Sequence, residues 1–529
     1  MKIKTLLTAL ILVWGLQSIY GQQATVEGNF PLHLAPPRKE IRHKLKQWPQ
    51  DNGLQQTATR AAGADIPAYR YKMFPTMGEM RGVVILAAFA DVPFSMDDIS
   101  INELLSNRLN ADDYSEEIDF EEYSEVYGKK IPQVQCTIPG SARDYFRDQS
   151  FGQFSPSFDV IGPVTLSQKR SYYGTNNSKG NDQNTAGMIS EACQKAYDMR
   201  LTDFTDYDRN GDGTVDFVYV IYAGSDEAQT GIEECIWAKA SNIKLTLGNG
   251  MKMGCYACSG ELFIDLPVVA GIGTFVHEFS HILGLPDFYN TETDDFTMDS
   301  WSVMDYGSYN AEGFVPCAYT AFERYSLGWI PMYTFNAPAT AVIGTTEEEK
   351  MGYRIFAEDL SSTDIITPAD TAAFYLIETI RQEGWNRYAG WYAEYYNGVT
   401  SPIEGLLITE VTYDQQAWQD NEVNVDTHRC SIVPANNNYS YETVDKHLFG
   451  NTNQEFTITS ASAKKTLTNI VYDGSKTTFD FCGGGSVVEV SELKTQNLEL
   501  GIFYDLFGRP VAHPTKGIYI VNGKKTIIK

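Results

Sequence analysis

The most informative segment of this chain is Thr274-Phe275-Val276-His277-Glu278-Phe279-Ser280-His281-Ile282-Leu283-Gly284-Leu285-Pro286-Asp287. Residues four apart lie on one face of a helix, so His277 and His281 present their ring nitrogens to the same side. Gly284 has no Cβ and can adopt a positive φ, which lets the chain leave the helix and turn sharply. We therefore predict a helix followed by a bend that returns Asp287 to the histidine face.

These residue types indicate a zinc site. Zinc accepts imidazole nitrogens and carboxylate oxygens, and three protein ligands leave its fourth position for water. Glu278 follows the first ligand directly and can reach that water as a general base. The alternatives are two histidines satisfied in a core and a purely structural zinc, which does not need a glutamate at this position. We predict a catalytic zinc ion on His277, His281 and Asp287, with Glu278 as the base.

A second motif, Trp301-Ser302-Val303-Met304-Asp305-Tyr306-Gly307, follows downstream. A methionine in a tight turn beneath three zinc ligands is typical of the metzincin class of peptidases, so we predict that Met304 forms a floor under the metal. Ordinary core packing of the methionine is the alternative. Tyr306 resembles the tyrosine of astacin-like and serralysin-like enzymes that binds the metal or the oxyanion. We predict this catalytic role for Tyr306, against the alternative of a stacked surface tyrosine.

The segment from Asp206 to Asp216 alternates acidic and amide side chains around glycines. Counted from Asp208, oxygen-bearing side chains occupy positions one, three, five and nine of an EF-hand-like loop, and Gly213 occupies the sharp-turn position six. Position twelve is Tyr219 rather than the usual glutamate, so Asp206 or water has to complete the site. A solvated turn is the alternative. The predicted structural calcium site comprises Asp206, Asp208, Asn210, Asp212 and Asp216.

Length and charge limit the possible functions. A chain of 529 residues is too long for one core and predicts two to four domains. With 41 basic and 68 acidic residues the net charge is −27, which repels phosphate backbones, so we expect no nucleic acid partner. The same acidity suits solubility outside a cell and supplies oxygen ligands for calcium.

The first residues have the pattern of an export signal. Lys2 and Lys4 precede an apolar run at 6–16, and Gly21 is a small residue before two glutamines. The apolar run is shorter than the roughly 20 residues that a spanning helix needs, which disfavours the alternative of a membrane anchor. We predict a signal peptide at 1–21, no membrane span and a secreted or cell-surface protein.

Changes in composition divide the rest of the chain. Residues 22–75, rich in Pro, Gln and charge, predict a pro-segment, with a floppy extension as the alternative. An apolar run at 82–89 predicts a buried strand, and helical spacing of apolar residues at 184–199 predicts a core helix. We expect an α+β, mixed α/β catalytic domain at 76–335 and an all-β module at 336–482. The glycine-rich joint and small β-rich tail at 483–529 complete the chain.

Eight cysteines are spread along the sequence. An even number in an oxidising compartment makes disulfides an expectation, although their pairing cannot be deduced from the sequence. Cys255 and Cys258 have no second pair at zinc-site spacing, so free buried thiols or a local disulfide are expected there. The eight are Cys136, Cys193, Cys235, Cys255, Cys258, Cys317, Cys430 and Cys482.

Taken together these motifs resemble the immune inhibitor A-like metallopeptidases, secreted bacterial enzymes of the metzincin type with aspartate as the third ligand. The resemblance extends over about 80–435 and implies a metzincin-like catalytic domain. Glu410 departs from it, because these proteins often have a histidine there, and Tyr306 sits where the family varies. The matching segments are 141–146, 150–152, 172–174, 206–216, 236–237, 283–289, 316–329, 374–378 and 405–408.

The C-terminal tail resembles another group of modules. Residues 504–510 and 516–525 are similar to the sorting modules of type IX secretion in Bacteroidetes. This resemblance implies contact with a secretion machinery, and a decorative β-hairpin is the competing interpretation.

We therefore predict a zinc-dependent endopeptidase that hydrolyses protein or peptide substrates. A surface binding protein whose peptidase site has lost its activity is one alternative, although such sites usually lose a ligand or the base. An exopeptidase is another, but no feature of the sequence indicates a pocket for a free chain terminus.

Overall fold

A computed structural model describes residues 33–38, 74–119, 134–264, 268–358, 373–391, 398–399, 401–489, 503–504, 510–511, 517–521 and 524–528. The predicted signal peptide and most of the predicted pro-segment lie outside these ranges. The described residues belong to two compact units. The first unit contains 33–38, 81–106, 158–264 and 268–270, and the second contains the others.

The described strands and helices are as follows, in chain order. The strands are β1 His33–Leu34, β2 Gly78–Ala88, β3 Glu116–Asp119, β4 Gln135–Ile138, β5 Phe154–Thr165, β6 Thr214–Val215, β7 Val218–Ser225, β8 Lys239–Thr246, β9 Lys252–Leu262, β10 Met332–Thr334, β11 Ala339–Ile343, β12 Gly352–Phe356, β13 Phe374–Ile380, β14 Gly405–Val411, β15 Cys430–Ile432, β16 Phe456–Thr459, β17 Lys464–Tyr472, β18 Thr477–Phe481, β19 Val487–Glu489, β20 Phe503–Tyr504, β21 Pro510–Val511, β22 Gly517–Val521 and β23 Lys524–Ile528. The α-helices are α1 Asp98–Asn110, α2 Ala142–Gln149, α3 Arg170–Gly174, α4 Thr185–Asp198, α5 Glu227–Thr230, α6 Gly273–Leu283, α7 Ala321–Ser326, α8 Thr346–Glu349 and α9 Gln415–Gln419. Short 3-10 helices span Thr205–Tyr207, Asp299–Trp301, Tyr306–Gly313, Gly384–Tyr388 and Tyr441–Lys446.

The first unit is built on one mixed sheet. Its strand order is β1-β8-β9-β7-β2-β5, with β6 paired to β9. Strands β2, β7 and β9 are mutually parallel, whereas β8 runs antiparallel to β9. The apolar run predicted as a strand at 82–89 forms most of β2 and is fully buried from Val83 to Ala87, as expected for a central strand covered on both faces.

Helix α4 covers this sheet and confirms the core helix predicted at 184–199. It begins after Asn184 and ends before Met199. Its apolar residues recur at helical spacing, so they form one face, and that face packs in the same core as Val83 and Ile85. The residues of this face are Met188, Ile189, Ala192, Cys193 and Ala196, each with no exposed surface.

Part of the predicted pro-segment forms the edge of the sheet. Strand β1 pairs antiparallel with β8, and the Ala35 amide donates to the Ala238 carbonyl at 2.9 Å. The Trp237 indole N–H donates back to the Ala35 carbonyl at 2.8 Å, and the Arg38 amide donates to the Ala228 carbonyl at 2.7 Å. Residues 33–38 are thus bound to the sheet by backbone hydrogen bonds, and their pro-segment role stays a prediction.

In the second unit, helix α6 is buried along its whole length. Phe279 lies on its apolar side within a cluster of rings, with centroid distances of 5.1 Å to Phe146 and 5.8 Å to Phe74. A Cβ on Gly273 would lie 2.0 Å from the Ser308 carbonyl oxygen, so only glycine permits this close approach at the start of the helix. Packing of this kind holds the helix axis in place.

The β-rich part of the second unit contains two five-stranded sheets among its described residues, in the orders β10-β12-β13-β14-β15 and β16-β17-β18-β11-β19. Side chains from both sheets share one apolar core. Two short helices interrupt the strands: α8 and α9 begin where Thr345 and Asp414 accept hydrogen bonds from backbone amides and so cap a helical turn. The all-β module at 336–482 stays a prediction. Strands β20 to β23 form a separate four-stranded sheet, consistent with a β-rich tail, and its sorting role stays a prediction.

Two expectations about the chain as a whole can be compared with these elements. The helices in the described ranges include none with the length and apolarity required to cross a bilayer.

All eight cysteines lie in the described ranges and none of them forms a disulfide there, so the expected disulfides are wrong for this structure. Seven of them are buried as small apolar side chains, and burial raises the pKa of Cys193 and of Cys255 to about 12.

A buried carboxyl group joins β13 to two helices of the second unit. Oε1 of Glu378 accepts hydrogen bonds from the Ala321 amide at 2.7 Å and from the Thr346 hydroxyl at 3.2 Å. Oε2 has no hydrogen bond among the described residues. Burial raises the pKa of Glu378 from 4.5 to about 7, because the charged form loses its hydration.

We expect this carboxyl group to make stability depend on pH. The stability contributed by its protonated form is complete below about pH 4.5 and is lost as the pH rises through about 7. Glu378→Gln keeps both acceptor contacts without a charge, so between pH 5 and pH 8 it should gain up to about 3 kcal/mol over the wild type. Thermal unfolding of both proteins at the two pH values measures this change. An equal difference between them at pH 5 and pH 8 would contradict the prediction.

Candidate metal centre

Helix α6 ends as the sequence predicted. Gly284 follows the last residue of α6 with φ of 103°, and its amide donates to the His281 carbonyl at 2.8 Å. The Leu285 amide donates to the Ser280 carbonyl at 3.1 Å, which closes the turn. The chain therefore reverses directly after the helix and carries Asp287 back towards the two histidines.

Backbone carbonyls orient both imidazole rings. Nδ1 of His277 lies 2.8 Å from the Val303 carbonyl oxygen, and Nδ1 of His281 lies 2.8 Å from the Leu285 carbonyl oxygen. A carbonyl oxygen can only accept, so each Nδ1 carries a proton and Nε2 is the nitrogen through which each ring would bind a metal ion. The two Nε2 atoms are 3.2 Å apart, close enough to bind one ion.

The third donor completes the group. Oδ1 of Asp287 lies 3.3 Å from Nε2 of His277 and 3.3 Å from Nε2 of His281. Metal–ligand distances of about 2.0–2.1 Å in a tetrahedron place neighbouring ligand atoms about 3.3 Å apart, so the three donors have the spacing that zinc requires. Among the His, Cys, Asp and Glu side chains of the described ranges, these three have ligand atoms that all lie within 4.8 Å of one another and could together hold a metal ion.

The donor set itself favours a cation. Two nitrogen lone pairs and a carboxylate oxygen converge where the side chains are 0–1% exposed, so water does not screen their mutual repulsion. A divalent ion offsets that repulsion, and imidazole with carboxylate suits zinc. The residues His277, His281 and Asp287 therefore fit the predicted metal.

Glu278 follows His277 on α6 and has no exposed surface. The predicted base is thus the buried residue next to the first predicted ligand on the helix. Its function as a base stays a prediction, since it depends on a substrate.

The predicted methionine turn contacts both ligand-bearing segments through its backbone. The Val303 carbonyl orients His277, and the Met304 carbonyl accepts the Phe288 amide at 2.8 Å, one residue after the third ligand. The turn is closed by the Gly307 amide, which donates to the Ser302 carbonyl at 2.9 Å. Met304 is fully buried, and its role as a floor under the metal stays a prediction.

Tyr306 follows this turn and is not a surface residue. It is 4% exposed, its amide donates to Asp305 at 2.7 Å, and its ring centroid lies 6.4 Å from that of Tyr309. The alternative of a stacked surface tyrosine is therefore wrong. Binding of the metal or the oxyanion by its hydroxyl stays a prediction.

Sequence reasoning missed the residue that holds the third ligand. The side-chain amide of Asn421 donates to Oδ2 of Asp287 at 2.6 Å, and its carbonyl oxygen accepts the Asp287 amide at 2.7 Å. The two residues are 134 positions apart, and Asn421 belongs to no motif. The carbonyls of Leu285 and Val303 were missed as well, because a backbone group leaves no mark in the sequence.

The predicted calcium loop uses its carboxylates locally. The carboxylate of Asp208 accepts from the Asp212 amide at 3.1 Å and from the Gly213 amide at 2.8 Å, as in a hydrogen-bonded turn. Asp206, proposed as the extra ligand, forms an ion pair with Arg81 at 3.0 Å. Calcium binding by Asp206, Asp208, Asn210, Asp212 and Asp216 stays a prediction.

Glu410, where a histidine often occurs in similar proteins, lies in β14 away from the ligand-bearing segments in sequence. Its carboxylate accepts from the Tyr375 hydroxyl at 2.8 Å across the β13–β14 pair. This contact is a cross-strand pair and gives the position a structural explanation.

Comparison with known proteins agrees with this geometry. Residues 52–330 match the family model described as immune inhibitor A peptidase M6, catalytic domain. The match is more than half of the 529-residue chain and includes the ligands, the glutamate and the methionine turn.

Individual relatives match the same part of the chain. The pre-pro-metalloprotease PrtV of Vibrio cholerae serotype O1 is 26% identical over 280 residues, which cover 47% of this chain and 30% of that protein. Immune inhibitor A of Bacillus thuringiensis subsp. alesti is 26% identical over 259 residues, covering 43% of this chain and 36% of that protein. The chain spans about a third of the length of these relatives. On the family match and the buried His-His-Asp group together, this chain belongs to the immune inhibitor A peptidase family, M6.

Proposed function

We propose that this protein is a secreted zinc-dependent endopeptidase that cleaves internal peptide bonds of protein substrates. The observation that carries the proposal is the convergence of two Nε2 atoms and Oδ1 of Asp287 to within 3.3 Å, with Glu278 on the same helix. A metal site that served structure alone would not need a buried glutamate next to its first ligand.

His277, His281 and Asp287 would hold the ion, which when bound lowers the pKa of a water molecule towards about 7 and polarises the scissile carbonyl. The backbone carbonyls behind the two imidazoles keep the rings in the tautomer that donates Nε2. The carboxylate makes the centre less positive than three neutral histidines would. More of the activation of water therefore depends on the base.

Glu278 would move the proton. Its carboxylate accepts a proton from the attacking water as the C–O bond forms, and the protonated carboxyl then delivers it to the amine as the C–N bond breaks. The proton is conserved and the peptide is hydrolysed. Tyr306 would donate its hydroxyl proton as a hydrogen bond to the oxyanion that develops on the former carbonyl oxygen.

Export and activation are the second part of the proposal. The n-region and apolar run of 1–21 support a signal peptide, and the matched V. cholerae relative is named a pre-pro-metalloprotease. The ligands and Glu278 are 0–1% exposed, and 33–38 is bound to a sheet edge, both in keeping with an inactive precursor. Removal of 22–75 would then precede activity, and the tail at 483–529 would address the protein to a secretion machinery.

We expect Glu278→Gln to abolish turnover without loss of metal. The amide cannot accept the proton of water, so kcat should fall by about 10²–10⁴-fold, whereas the zinc content should match that of the wild type. Casein hydrolysis and metal analysis of the same sample measure both quantities.

The matched control for this exchange is Glu378→Gln. It makes the same substitution at another buried glutamate of the second unit and should leave the rate at pH 7 within about twofold of the wild type. A Glu278→Gln protein that cleaves casein at the wild-type rate would sink the assignment of the base.

We expect removal of zinc to abolish activity and to destabilise the protein. Ortho-phenanthroline should stop casein cleavage in a zymogram, because it removes the ion that activates water. Added Zn²⁺ should restore cleavage, because the three ligand atoms repel one another without the ion and bind it again. The thermal midpoint should fall with the metal, since zinc binds the folded state. The meta isomer, which does not chelate, is the control.

Three results of this assay would point elsewhere. Cleavage unaffected by the chelator contradicts a metallopeptidase, and full metal loading without cleavage by the N-terminally processed protein favours a binding protein. Release of single terminal residues from mixed peptides, found by mass spectrometry, favours an exopeptidase. N-terminal sequencing of the active band locates the end of the pro-segment.

We expect Tyr306→Phe to slow the chemical step alone. Loss of one donor to a developing oxyanion reduces kcat by about 10²–10³-fold in comparable sites, while KM for a peptide should change little. Tyr309→Phe, which removes the hydroxyl of the neighbouring ring, is the matched control. Equal kinetics for both variants and the wild type would assign Tyr306 to packing.

A further inference from the structure

The third metal ligand lies on a segment without regular secondary structure. Residues 285–290 follow α6 with neither helix nor strand, so no ladder of backbone hydrogen bonds fixes the carboxylate of Asp287. The two histidines differ, because α6 holds them at a fixed spacing. A ligand on such a segment needs support from outside to keep one orientation.

Asn421 provides that support with both ends of one amide. It donates to Oδ2 of Asp287 at 2.6 Å and accepts from the backbone N–H of the same residue at 2.7 Å. Once Oδ2 is held in this way, Oδ1 is the oxygen that lies 3.3 Å from both imidazole nitrogens. Asparagine suits the task, because it has a donor and an acceptor side by side and carries no charge.

The position of Asn421 is itself fixed by the chain around it. It lies just after α9, and its backbone has φ of 61°, a left-handed conformation that asparagine tolerates better than most residues. The Trp418 ring of α9 packs 6.3 Å from the ring of Phe288, the residue after the third ligand. With 2% exposure, Asn421 forms its two hydrogen bonds where water does not compete with them.

A neighbouring asparagine fastens the same two segments. The Asn424 side-chain amide donates to the Phe288 carbonyl at 2.6 Å and to the Cys430 carbonyl at 2.7 Å, and its oxygen accepts the Cys430 amide at 2.9 Å. The turn after α9, the first residue of β15 and the ligand segment are therefore joined by side-chain amides. This part of the chain lies beyond residue 330, where the family match ends.

We propose that Asn421 is a positioning residue for the metal centre, which selects Oδ1 of Asp287 as the ligand atom and holds the carboxylate ready for zinc. The β-rich region therefore contributes a residue that positions a metal ligand, and it is not an independent module attached to the catalytic domain. This inference rests on the proposed function only in that a metal binds at the three ligands.

The test compares the zinc affinity of four variants in the full-length chain. Asn421→Gly removes both hydrogen bonds and relieves the left-handed backbone, whereas Asn421→Ala removes them and adds backbone strain. Asn437→Gly and Asn437→Ala are matched controls, because Asn437 is exposed and also left-handed, with φ of 53°. Affinity is measured by competition between the metal-free protein and a chromogenic chelator.

Both Asn421 variants should bind zinc about 10–100-fold more weakly than the wild type, and the Asn437 variants should bind as the wild type does. In the Co²⁺-substituted protein, the visible absorption of the Asn421 variants should change in intensity, since one ligand no longer has a fixed orientation. A loss in Asn421→Ala alone would indicate backbone strain and overturn the proposal. Affinity within threefold of the wild type in both Asn421 variants would overturn it as well.

A second measurement needs no variant and covers the case in which the Asn421 variants do not fold. In a crystal structure of the zinc-loaded wild type, Oδ1 of Asp287 should bind the ion and Oδ2 should keep the Asn421 hydrogen bond. Bidentate binding, or binding through Oδ2, would contradict the proposal. Glu278→Gln separates this inference from the enzymatic one, because it should lose turnover and keep the wild-type zinc affinity.

Discussion

The structure around the candidate metal centre depends on one electrostatic constraint: three electron-rich atoms on buried side chains are held about 3.3 Å apart. Because Nδ1 of each imidazole is turned towards a backbone carbonyl, Nε2 of His277, Nε2 of His281 and Oδ1 of Asp287 face one another. Such a group is costly unless a cation enters it. Favourable contacts elsewhere in the folded chain have to offset this unfavourable free energy. The contacts that surround the centre do so.

Three sets of contacts within the second unit contribute: the packing of Phe279, the close approach at Gly273 and the methionine turn. Aromatic packing against Phe279 holds helix α6 from its apolar side, and the close approach at Gly273 fixes its first turn. The methionine turn contributes the Val303 carbonyl to one imidazole and the Met304 carbonyl to the segment of the third ligand. Together these contacts restrain the helix of both histidines, the ring of His277 and the segment of Asp287, which is how a protein holds metal ligands in a fixed arrangement.

The hydrogen bonds of Asn421 connect two segments that the sequence assigns to different domains. Composition predicts a boundary near residue 335 between a catalytic domain and a β-rich module, and that boundary stays a prediction. The third ligand and the amide that holds it are nevertheless 134 residues apart and belong to the same compact unit. A change in the turn after α9 can therefore alter the metal centre without touching a residue of the zinc motif.

The sequence predicted the helix, its end and the grouping of His277, His281 and Asp287, because residues four apart share a helix face and a glycine permits the bend. It also determined the central strand β2 and the core helix α4, whose apolar spacing is local. The carbonyl that orients each imidazole, and the Asp287 oxygen that faces both imidazoles, follow from tertiary contacts that the sequence does not reveal. Backbone carbonyls carry no residue-specific signal, and the contact with Asn421 joins distant segments. Local periodicity in the sequence therefore determines which residues share a helix face and where the helix ends. The orientation of the side chains within the site depends on distant segments that folding brings into contact with them.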